Sequence, residues 1–77
     1  MTSPSNAERG LRAEKLLLAY AHSERRVDEL AGSQSAETLL TDLLADFMHY
    51  ASAMRMDLRN CIDVAQMHFD AEISEAT

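Results

Sequence analysis

Only three residues in this chain readily interrupt a helix: Pro4, Gly10 and Gly32. Along the stretches they leave, apolar side chains recur at three- and four-residue steps, and no segment alternates polar with apolar residues as a half-buried strand does. Wound at about 100° per residue, such stretches each present an apolar stripe. The expected fold is therefore all-α: a small three-helix bundle, with a short fourth segment, built around an antiparallel helical hairpin in a single domain spanning 1–77.

The helix boundaries follow from local chemistry. Ser5 and Glu8 form an S-x-x-E capping box, so the first helix is expected over about 6–22. Its apolar arc, which includes Leu16, Leu17 and Tyr20, is occupied after His22 by Glu24, Arg25, Asp28 and Glu29. That loss of phase predicts a kink or a stop near 22–24 and a short helical piece over 24–31, before a turn at Gly32. A second helix is expected over 35–54, with Ala36, Leu40, Leu43, Phe47, Tyr50 and Met54 as its packing seam. Asp57 should cap a third helix over 58–75, with Met56 and Cys61 forming a hydrophobic staple and Leu58, Ile62, Ala65, Phe69 and Ile73 forming the seam.

Composition narrows the function. At 77 residues, 47% hydrophobic and 26% charged, the chain suits one small globular domain and offers no long apolar span for a membrane. The first ten residues lack the basic and apolar pattern of a secretory signal, so a cytoplasmic location is expected. Net charge is −6, and residues 31–77 set Arg55 and Arg59 against eight acids. Such a field repels phosphate backbones, and nucleic acid is not an expected partner. The series Arg12, Lys15, His22 and Arg26 is diluted by Glu8 and Glu29 and reads as a solvated face.

Two clusters invite a metal reading. Asp42, Asp46 and His49 share one side of the second helix, but three ligands from one helix leave a site unclosed, and the expectation is a solvated face opposite the seam. Cys61, His68 and Glu72 are spaced C-x6-H-x3-E, which matches no closed site. There Cys61 is expected to be a small buried hydrophobe, and His68 to pair with Glu72 at i, i+4 with its pKa raised by the carboxylate. No metal and no cofactor are expected. The all-helical nucleotide pyrophosphohydrolases are similarly helical and acidic, but they pair E-x-x-E and E-x-x-D motifs on facing helices, whereas the second helix here carries D-x-x-x-D instead and Asp63, Asp70 and Glu72 do not rebuild the pair on the third; with no phosphate loop or nucleophile elbow either, the chain is not expected to be an enzyme.

The strings D-L-L-x-D-x-x-H, from Asp42 to His49, and M-H-F-x-A-E, from Met67 to Glu72, do resemble a group of small uncharacterised all-helical bacterial proteins of plasmid, phage or other mobile-element context. The resemblance covers about residues 36–73 and implies no activity.

Apolar surface exceeds what three short helices can bury against one another, so the chain is expected to bind protein, most simply itself, as a homodimer or larger. Leu11 and Leu18 on the first helix, Leu44 and Met48 on the second and Met67 on the third are the expected interface residues. Two alternatives remain: an acidic accessory or inhibitory protein docking on a basic, nucleic-acid-handling partner, and a small metal-responsive protein built on His49 or His68.

Overall fold

A computed structural model describes residues 4–76 and contains three α-helices: α1 (Asn6–Ser23), α2 (Ser33–Ala53) and α3 (Leu58–Ala76), with a 3-10 helix (Val27–Ala31) between the first two. The expected all-α, three-helix architecture is what forms. At the start of α1, the Glu8 N–H donates to Ser5 Oγ at 3.2 Å, as the capping box requires. At the start of α3, the Asn60 N–H donates to Asp57 Oδ1 at 3.0 Å. Met56 and Cys61, the expected staple across that cap, are both exposed, so Cys61 is not the buried hydrophobe its residue type suggests.

Helices α1 and α2 end in the same way. Arg26 N–H donates to Ala21 O at 2.7 Å and Arg25 N–H to His22 O at 3.2 Å; thirty residues on, Met56 N–H donates to Ala51 O at 2.8 Å and Arg55 N–H to Ser52 O at 3.3 Å. These are Schellman closures, in which one residue turns left-handed to satisfy the last carbonyls. That residue is Arg25 or Arg55, each with φ 56, where glycine is the usual occupant. The carbonyl capped in each closure belongs to a buried alanine, Ala21 or Ala51, preceded by a tyrosine, Tyr20 or Tyr50. The expected break near 22–24 is therefore a helix stop, and the segment after it is 3-10 rather than α.

α2 starts two residues earlier than expected, at Ser33, with Ser35 inside its first turn. Ser35 Oγ donates to Glu29 O at 2.6 Å and so ties α2 to the 3-10 helix. The inward face of α2 also differs from expectation. Leu39, fully buried, is its anchor, and Asp42 and Asp46 reach across to the preceding elements; of the expected seam Ala36 and Leu43 are half-buried, Leu40 and Phe47 face α1 across a groove while remaining exposed, and Tyr50 and Met54 are exposed. Two polar contacts from Arg26 and Tyr20 fix this rotation, which hydrophobic periodicity does not encode.

α3 follows α2 after a short turn, yet its packing is against α1 rather than along α2, so the expected α2–α3 hairpin is not the unit that holds the fold. Its C-terminal end is held to α1 by Glu72, which pairs with Arg9 Nε at 3.0 Å and accepts at its carbonyl from Asn6 Nδ2 at 3.2 Å. Among the described residues the buried apolar ones are Ala21, Leu39 and Ala51. The structure is open: its radius of gyration is 14.4 Å, against about 11.5 Å for a compact domain of this length. Its accessible surface is 6538 Å², where a folded monomer of 8.6 kDa exposes about 4,700 Å².

Candidate interaction surface

Exposed apolar residues line grooves between the elements. One groove of about 370 Å³ separates α1 from α2, with Gly10, Ala13 and Leu17 on one wall and Leu40, Leu43 and Phe47 on the other. A second, of about 280 Å³, lies between α1 and α3 and is lined by Asn6, Arg9, Gly10, Phe69, Glu72 and Ile73. Gly10 borders both, so the apolar surface runs from α2 across α1 to α3. A third groove, of about 310 Å³, is formed by Leu11, Glu14, Lys15, Leu18 and Leu30 on another side of α1.

Polar contacts join the elements beside these grooves. Arg26 is the hub: its Nε and Nη2 donate to both Glu29 carboxylate oxygens at 2.6 and 2.8 Å, and its Nη1 donates to Asp42 Oδ2 at 2.8 Å. The bidentate hydrogen bonds to Arg26 hold the Glu29 carboxyl below the usual range, and the same contacts push the guanidinium pKa further up. Tyr20 Oη donates to Asp46 Oδ2 at 2.6 Å, and that bond, with the charge beside it, pushes the phenol up to about 12. A tyrosine, an arginine and two aspartates therefore join α1, the 3-10 helix and α2 through partly exposed polar contacts.

The expected site residues fall in different places. Asp46 and His49 are exposed, as expected of a solvated face, and Asp42 is half-buried; in addition Asp42 pairs with Arg26 and Asp46 accepts from Tyr20. Glu72 is taken by Arg9, and among the described residues no hydrogen bond or ion pair links it to His68, which is exposed. The expected His68–Glu72 pair does not form because the carboxylate finds a cation on α1. Among the described residues no three histidine, cysteine, aspartate or glutamate side chains group in a way that could hold a metal ion. No helix among them is long and apolar enough to cross a membrane.

Leu11, Leu18, Leu44, Met48 and Met67 are all exposed, Met67 at 69% and Met48 at 62%. Leu11 and Leu18 meet in the third groove, together with Leu30, whereas Leu44 and Met48 lie on α2 about 40–100° beyond Leu40 and Phe47. Residue patterns gave no sign of the Arg26 hub or of the position of Gly10; the one legible trace was the repeated Tyr-Ala-x-x-x-Arg at Tyr20 and Tyr50 that marks the two helix ends. No protein-family model matches the chain, nor does any curated protein or solved structure at a significant level.

Proposed function

We propose that this chain is a non-enzymatic protein-interaction module that works as a homodimer. The observation that carries this reading is its exposed area. Relative to a folded monomer of its mass the chain has about 1,800 Å² to spare, and burying that on each of two copies gives about 3,600 Å² in total, within the range of obligate homodimers. Among the described residues sixteen large hydrophobic ones contribute to that surface, spread over all three helices, the 3-10 helix and the turn before α3. Soluble domains without a partner do not keep apolar faces of this size, because they associate. A domain this small gains about 3–5 kcal/mol at most from one core, and association is a usual remedy where no disulfide or metal supplements it.

The charge distribution favours a second reading, docking on a basic partner. It is the weaker one: of the eight acids in residues 31–77, Asp42, Asp46 and Glu72 are already engaged within the chain. Light scattering behind size exclusion at tens of micromolar decides the main reading. A mass of two chains is expected, and a mass of one chain overturns it.

A further inference from the structure

Gly10 has no evident purpose in a single chain. It occupies the second turn of α1, where glycine is the weakest helix former after proline, and its φ is not positive. A Cβ placed on it meets nothing within 4 Å. Alanine would fit and would strengthen the helix, yet this is the residue at which the two apolar grooves join. Missing side chains at a groove floor allow a backbone to approach closely.

On either side of that notch lie unburied apolar stripes of matched length. Leu40 to Met54 on α2 spans about 21 Å, and Leu58 to Ile73 on α3 about 22 Å. Along them Leu40, Phe47 and Tyr50 are exposed on α2, and Ile62, Phe69 and Ile73 on α3. Within one chain α3 touches α1 through its C-terminal end, where Arg9 and Asn6 hold Glu72, and this leaves most of its stripe open.

We propose that the occupant of the α1–α2 groove is α3 of a second copy, laid over Gly10, with the exchange made twice about a two-fold axis. Each chain carries both the α1–α2 groove and the open α3 stripe, so a single isologous pairing covers the two together on each copy. The area available, about 1,800 Å² per chain, suits a contact of that extent. The proposal rests on the self-association reading above and assigns its contact face.

The test compares three proteins by light scattering and sedimentation: the natural chain, Gly10→Leu and Leu18→Glu, with helix content followed by circular dichroism. The natural chain should run as two chains, and Gly10→Leu should weaken its dimerisation by at least about ten-fold at unchanged helix content. A one-chain mass for the natural protein overturns self-association and this assignment together. A dimer that Gly10→Leu leaves intact, but Leu18→Glu dissociates, keeps self-association and overturns the assignment, placing the contact on the Leu11/Leu18/Leu30 groove. Should Gly10→Leu fail to fold, a mixed sample decides: a nitroxide on Cys61 of one chain should broaden Ala13, Leu40 and Leu43 signals of an isotope-labelled Cys61→Ser chain. Broadening confined to Leu11, Leu18 and Leu30 overturns the assignment.

Discussion

Arg25 and Arg55 each hold a left-handed backbone with φ 56 that an L side chain disfavours. Replacing either with glycine should therefore raise stability by about 1 kcal/mol, less the entropy glycine loses on folding, and a shift of the urea midpoint to higher concentration without a change in slope would register it. Tyr20 offers a spectroscopic check. In a Tyr50→Phe protein it is the remaining tyrosine, and its ultraviolet titration should centre near pH 12 rather than the ordinary 10.0, returning downward in Asp46→Asn. Because the folded-state value is raised, this contact supports the fold below pH 10 and is lost as pH rises toward 12. Glu29 has the opposite sign: its pKa is lowered from 4.5, so the Arg26 clamp contributes above that pH and is lost as the solution is acidified below it. The natural chain should lose more stability than an Arg26→Gln protein on acidification from pH 5 to pH 3, and equal losses in the two would contradict this assignment.

For the elements, helix identity was legible and helix orientation was not. Ser5, Asp57 and Gly32 mark ends that the sequence displays, because capping uses side chains within a few residues of one another. The rotation of α2 depends on Arg26 meeting Asp42 and Tyr20 meeting Asp46, sixteen and twenty-six residues apart. No local pattern carries that pairing, so periodicity put Leu40 and Phe47 inside and the aspartates outside. The attachment of α3 is similar. It hangs on Glu72 with Arg9 and Asn6, a half-exposed set worth about 1 kcal/mol or less. Arg9→Gln should leave α1 and α2 intact while amide exchange in the last turns of α3 speeds up; equal exchange in both proteins would remove that clasp from the account.

As a whole molecule the chain has little core to spare. Leu39 is its largest fully buried side chain, and Leu39→Ala should cost about 2–5 kcal/mol, enough to abolish cooperative unfolding in a domain of this size. If stability comes from pairing of two copies, the unfolding temperature of the natural chain should rise with protein concentration. A temperature that stays constant over a hundred-fold range would mean that one chain supplies its own stability.

The sequence alone settled the helical class, the approximate ends of the helices and the surplus of apolar residues over what three short helices bury, since each depends on side-chain types within a turn or two of one another. Tertiary structure decided which side chain anchors α2, that α3 joins α1, and that the aspartates of α2 find Arg26 and Tyr20 as partners. These outcomes turn on which polar groups from distant segments meet. An aspartate on a helix has the same local pattern whether it finds solvent or a guanidinium, and only the folded chain brings the second group to it.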